Sequence, residues 1–236
     1  PSCSNKSSTR ASKRTFLMGP IQPAERRDLQ LIFFLFGIGV MCLAPRLPDI
    51  KANLDVSTTF FGFLMSSGSI GALSAHLTMG HTVHSLGVYK VLIVSAIMTY
   101  VTIGMLIELH NPWIYLIVNI ICGFAWASYH IAINAQALHR QAEDGRQIIP
   151  MLHGLWTAGA VTTAFIAILI SSFVSLNWHI FPLISIVLIL KLRSINRLKP
   201  VLLKGNEVSQ EDEIVTLRQM LSSFSRSEEH TSELQS

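Results

Sequence analysis

The sequence predicts an all-α membrane protein with six transmembrane helices. Three observations predict it. Half of the 236 residues are apolar, and only 14% are Asp, Glu, Lys or Arg, where a soluble domain carries about 25% charged residues. The mean hydropathy is +0.46. Six apolar runs, at 29–44, 58–79, 88–107, 112–138, 150–174 and 177–192, each approach the ~20 residues that cross a bilayer. Lipid offers a backbone no hydrogen bonds, so these runs must be helices. The short alternating segments of a membrane barrel are absent.

The first run closes at Pro45 and Pro48, which break a helix and free backbone carbonyls. The second carries Gly62, Ser66, Gly68, Gly71, Ala72 and Ala75. Its small-xxx-small pairs, Gly68 to Ala72 and Gly71 to Ala75, let helices approach closely, and Gly154 to Ala158 repeats the pattern in the fifth run. Pro112 suits the first turn of the fourth. The sixth is short, so Lys191 and Arg193 are expected to snorkel to the interface. Connections are tight, which implies antiparallel neighbours.

Charge sets the orientation. Counted from Met18, ten basic residues fall on one side: Arg26, Arg27, Lys90, Arg140, Arg146, Lys191, Arg193, Arg197, Lys199 and Lys204. The other side holds only Arg46 and Lys51. Cytoplasmic loops retain Lys and Arg, so both native ends are expected in the cytoplasm. The net charge of +4 then needs no nucleic-acid partner. Cys3, Cys42 and Cys122 form no spaced pair, which argues against a disulfide framework or a CxxC metal site.

The expected organisation has four parts. Residues 1–28 are a cytoplasmic head, in which 1–17 precede the first methionine, Met18. These 17 are either an attached upstream frame or a polar basic tail. Residues 29–198 are the bundle and 199–225 begin a cytoplasmic linker, with Ile214, Leu217 and Leu221 at helical spacing. Residues 226–236 resemble the in-frame translation of a short-read sequencing adapter and are set aside as an artefact.

Six helices with both ends inside, followed by a polar linker, resemble the first half of a twelve-helix major facilitator superfamily transporter. Between the second and third runs, Gly80, Gly87 and Lys90 match that superfamily's loop motif. His84 stands in place of its Asp, and Ser85 and Val88 replace two basic positions. The segments 44–51 and 134–137, Gly145-Arg146, His153 to Thr157 and Gly159 resemble a branch of bacterial inner-membrane permeases. The resemblance implies a secondary active transporter of a small solute, cut before its second half and sited in the bacterial inner membrane. It implies a gating role for the Gly80, Gly87 and Lys90 loop. The fifth run lacks the Gly-Pro pattern of the superfamily's drug/proton antiporters.

Polar side chains inside a span face a cavity or a partner helix. Asn119, Gly123, Trp126, His130 and Asn134 share one face of the fourth helix. Trp126 offers a flat apolar surface, and His130 and Asn134 offer donors and acceptors, which suits an uncharged polar solute such as a sugar. Interhelical hydrogen bonding is the other reading, above all for Asn119. His153 and Trp156 extend the candidate cavity onto the fifth run. An imidazole can accept a coupling proton near neutral pH, so His130 and His153 are candidates, though His153 could instead anchor the adjacent loop. Arg46 either guides an anionic solute or pairs with Asp49. His76, His81 and His84 lack the closed ligand set that a metal needs, so neither a metal nor a cofactor is expected.

Two other functions suit a six-span bundle. A six-span serine protease needs Gly-x-Ser-Gly, and Met65-Ser-Ser-Gly68 lacks the first glycine. No HExxH zinc motif occurs, so no catalytic residue is assigned. A membrane-embedded scaffold or regulatory subunit remains the alternative to transport.

Overall fold

The computed structural model describes residues 21–198. Most of the head, the linker with Ile214, Leu217 and Leu221, and the 226–236 tail lie outside the described residues. Within them there are six helical stretches long and apolar enough to cross a membrane. The first comprises α1 (Pro23–Met41), a 3₁₀ turn (Ala44–Arg46) and α2 (Leu47–Leu54). The second is α3 (Thr58–Ser66) followed by α4 (Gly68–Leu86). Then come α5 (Val88–Glu108), α6 (Pro112–Asp144), α7 (Ile149–Ile170) and α8 (Leu176–Ile195).

Three helix ends depart from the apolar runs by more than a turn, two of them where charged residues are buried. Helix α1 starts six residues early, with Pro23 in its first turn and Glu25 and Asp28 buried. Helix α6 runs to Asp144, past the expected end at 138, and stops at Gly145 with φ +68°. Arg140 explains both, because it pairs with Glu25 at 2.8 Å and also with Glu143. Paired charges can be buried in a helix end that hydropathy reads as loop. Helix α4 likewise continues past residue 79 to Leu86, and Gly87 ends it at φ +83°. His76, His81 and His84 therefore lie exposed on a helix rather than in a loop.

Glycine decides which helices touch. A β-carbon at Gly37 of α1 would stand 1.8 Å from the Trp156 carbonyl oxygen of α7, and one at Gly159 would stand 2.0 Å from the Phe34 carbonyl. The second seam repeats this reciprocal arrangement. A β-carbon at Gly71 of α4 would stand 1.8 Å from the Ile120 carbonyl of α6, and one at Gly123 would stand 2.0 Å from the Gly68 carbonyl. In each seam a glycine faces the carbonyl that lies three residues before the opposing glycine. The two halves of the bundle thus use one packing solution twice, as internal repeats do. Gly154 meets nothing within 4 Å, so the close face of α7 is Gly159 and not the expected Gly154 to Ala158 pair.

The buried apolar core fills the space between these helices in two layers, around Phe33, Leu92 and Ile133 and around Ile50, Leu64 and Ile180. Large apolar side chains such as Leu77, Phe165 and Ile168 point outward, which suits a lipid solvent. At one end of the bundle the backbone N–H of Ile21 donates to Asp144 Oδ1 at 3.3 Å, and Arg197 faces Asp28 at 3.8 Å. At the other end Asn53 donates to the Ile107 carbonyl at 3.2 Å.

Candidate functional site

Phe36 of α1 is the centre of an aromatic cluster. Trp126 stacks on it at 5.6 Å between ring centroids, and His130 at 5.7 Å. Trp126 and His130, one turn apart on α6, also stack on each other at 5.6 Å. Trp156 of α7 lies 6.5 Å from Phe36. His153, one turn earlier on α7, meets Phe33 edge-on at 5.8 Å and Trp156 at 6.3 Å. Trp126, His130, His153 and Trp156 are all half-buried. The two α-helical repeats that carry them, i and i+4 on α6 and i and i+3 on α7, put each pair on one face, and the Gly37–Gly159 seam brings α7 close to Phe36.

The rest of the α6 stripe, on either side of that pair, makes contacts within the protein. Asn134 is half-buried and donates to the His130 carbonyl at 2.8 Å. Gly123 belongs to the seam with α4. Asn119 is buried, and its Nδ2 donates to the Leu64 carbonyl at 3.0 Å, the Met65 carbonyl at 3.1 Å and Ser67 Oγ at 3.1 Å. Those carbonyls sit where α3 gives way to α4, so Asn119 repairs the break at Ser67. No proline marks that break in the sequence. Gln136, off the stripe, is buried.

Arg46 is only 3% exposed. Its guanidinium donates to the Ser171 carbonyl at 2.9 Å and the Val174 carbonyl at 2.6 Å, and faces Asp49 at 3.3 Å. It ties the end of the first span to the end of the fifth and stands apart from the aromatic cluster. In the loop motif only Gly87 makes a turn. Gly80 lies inside α4 with nothing within 4 Å of a β-carbon, and Lys90 is exposed on α5.

Lys191 corrects a sequence expectation. It does not snorkel: it is 2% exposed, and its ammonium lies 4.1 Å from the centre of the Tyr129 ring, 4.9 Å from Phe36 and 5.0 Å from Tyr100. Helix α8 continues another turn to Ile195, and side chains lean toward a helix's N-terminus. A lysine near the C-terminal end therefore reaches back into the bundle. Sequence reasoning missed it because its position at the end of an apolar run looked interfacial. The available signal was the aromatic content of the three helices that surround it.

Beside the cluster lies a cavity of about 390 Å³, lined by Val40, Leu43, Ala72, Ile103, Asn119 and Trp126 among others. Cys42 and Cys122 are free thiols. Among the described residues no group of His, Cys, Asp and Glu is placed to hold a metal ion.

Six membrane-length helices, close glycine seams and an aromatic face with intramembrane polar groups define an α-helical membrane bundle. Residues 29–227 match the Major Facilitator Superfamily, and the chain belongs to that family, whose members are transporters and not enzymes. It is 25% identical over 146 residues to an uncharacterized MFS-type transporter of Yersinia pestis, covering 61% of this chain and 38% of that one. It is 29% identical over 132 residues to an uncharacterized transporter of Sinorhizobium fredii, covering 56% of this chain and 35% of that one. The chain thus spans less than two-fifths of the length of these curated relatives. No solved structure matches it significantly.

Proposed function

We propose that this chain is the first half of a secondary active transporter, which carries a small polar solute across a bacterial inner membrane by alternating access. The observation that carries the reading is the face formed by Trp126 and His130 of α6 with His153 and Trp156 of α7 around Phe36. Aromatic faces take up the apolar side of a solute, and imidazoles supply hydrogen bonds and a site for a coupling proton. Asn134 adds a polar group one turn further along α6. In a two-half transporter such a face lines the solute path near the midplane.

The glycine seams support the same reading. They pack this six-helix bundle as one closely fitted body, as rigid-body rocking against a second half requires. The orientation follows from charge. Lys191 leaves the count because it is inside the bundle, yet the end that holds Arg26, Arg140 and Arg197 keeps its basic excess. We place that end, and with it both native ends, in the cytoplasm. Restoring the continuation of the chain and measuring solute uptake into proteoliposomes tests the proposal. Uptake driven by a solute or proton gradient is expected. Absence of flux with every member of a panel of sugars, amino acids and organic acids would leave a scaffold role instead.

A further inference from the structure

The cage around Lys191 holds a cation and no anion. Lys191 reaches the cage from α8, Tyr100 from α5, Tyr129 from α6 and Phe36 from α1. Among the described residues no carboxylate pairs with the ammonium. The Tyr100 and Tyr129 hydroxyls are buried without a hydrogen-bond partner, and so is the indole N–H of Trp156 beside Phe36. Buried polar groups are nearly always satisfied, and each exception calls for a cause. Three of the seven such atoms among the described residues belong to the aromatic side chains around Phe36 and Lys191. Three ring faces favour a cation, yet a charge in a membrane interior ordinarily finds a counter-charge or serves function. A site with an ammonium that no carboxylate pairs and two unpartnered phenolic O–H groups is complementary to a small anion.

We propose that Lys191, with the hydroxyls of Tyr100 and Tyr129, is the carboxylate subsite of the solute site, and that the solute is a small monocarboxylate. This rests on the transporter reading above and narrows its solute from a small polar compound to an acid, in place of the uncharged solute that the sequence suggested. Phe36 touches both Lys191 and the Trp126–His130 stack, so one ring joins the subsite to the solute face. In the present conformation that ring covers the ammonium, and solute entry requires it to turn aside. The apolar or hydroxylated body of the acid then lies against Trp126 and Trp156, whose fluorescence reports its arrival. Carboxylate oxygens accept from all three donors, which leaves the cage electrically balanced.

Three matched pairs test this on the full-length protein purified in detergent: D-glucuronate with D-glucose, L-lactate with lactamide, and benzoate with benzamide. Each pair shares a body and differs in the carboxylate. Tryptophan fluorescence should respond saturably to at least one acid, with an affinity at least about tenfold above that of its neutral partner, as loss of a charged hydrogen-bond partner implies. Lys191→Met keeps the length of the stem and removes the charge, so it should abolish the preference. Lys191→Arg should retain it, and Tyr129→Phe should weaken the acid several-fold while leaving the neutral partner unchanged. Thermal unfolding of each variant checks folding, and Lys191→Met should unfold no earlier than the parent. The proposal is overturned if no acid binds better than its partner, or if Lys191→Met leaves the preference intact. Acid binding without uptake into proteoliposomes would sink the transport reading and leave the subsite. Uptake of neutral solutes only, insensitive to Lys191→Met, would sink the subsite and leave transport.

Discussion

Alanine at Gly37 provides the sharpest test of the packing. The new methyl would stand 1.8 Å from the Trp156 carbonyl oxygen and 2.8 Å from the Ala160 nitrogen. Both are backbone atoms and cannot rotate away. An ordinary carbon–oxygen contact is about 3.3 to 3.6 Å, so α1 and α7 must part by roughly 1.5 Å. A gap of half that size already forfeits a quarter to a half of each contact's dispersion energy, and overpacking costs about 1–3 kcal/mol. Alanine is also the better helix former by about 0.5–1 kcal/mol. The net loss should be about 2 kcal/mol, or a fall of roughly 4–8 °C in unfolding midpoint for a chain of this size. Gly154→Ala and Gly62→Ala sit in open space and should raise the midpoint by roughly 1–3 °C. The assay is thermal unfolding in detergent followed by circular dichroism. Adding Gly159→Ala to Gly37→Ala should cost less than the sum, since both open the same seam. Adding Gly71→Ala should cost the full sum. If Gly37→Ala behaves like Gly154→Ala, the close approach of α1 and α7 does not exist.

Three further outcomes follow from single contacts. Asn119→Ala removes three donated hydrogen bonds at the α3–α4 break and should cost about 1–2 kcal/mol in the same unfolding assay; a neutral result would mean that the break needs no repair. Arg46→Met frees the Ser171 and Val174 carbonyls and should destabilise by about 2 kcal/mol without changing solute affinity in a binding titration; a weakened affinity with unchanged stability would return Arg46 to the solute path. Gly87→Ala forces an alanine to φ +83° with ψ 149° and should cost about 1–3 kcal/mol, whereas Gly80→Ala, in open space inside α4, should stabilise slightly, like Gly154→Ala, when measured side by side.

Much of the fold was legible in the sequence. Six apolar runs, their spacing and the prolines place six helices to within a turn at most ends, because lipid leaves a backbone no alternative. Two of the ends that moved, at Glu25 and Arg140, moved because partners distant in sequence neutralise each other, which hydropathy along one chain cannot register; the third, on α4, runs through exposed polar residues to Gly87. The candidate site was legible in part. Trp126 and His130 share a face by helical period alone, and the structure joins them to Trp156 and His153. Asn119 and Arg46 carry the same polar chemistry in the sequence but spend it on backbone carbonyls of other helices.

Helix number, helix type and the asymmetry of charge came from composition and order alone, since burial in lipid acts on each span separately. Which helices pair, which glycines matter and which cation lies inside were decided only by tertiary structure. Close approach and caging are properties of two or more spans at once, and no single segment records where its neighbour's carbonyls or rings will stand.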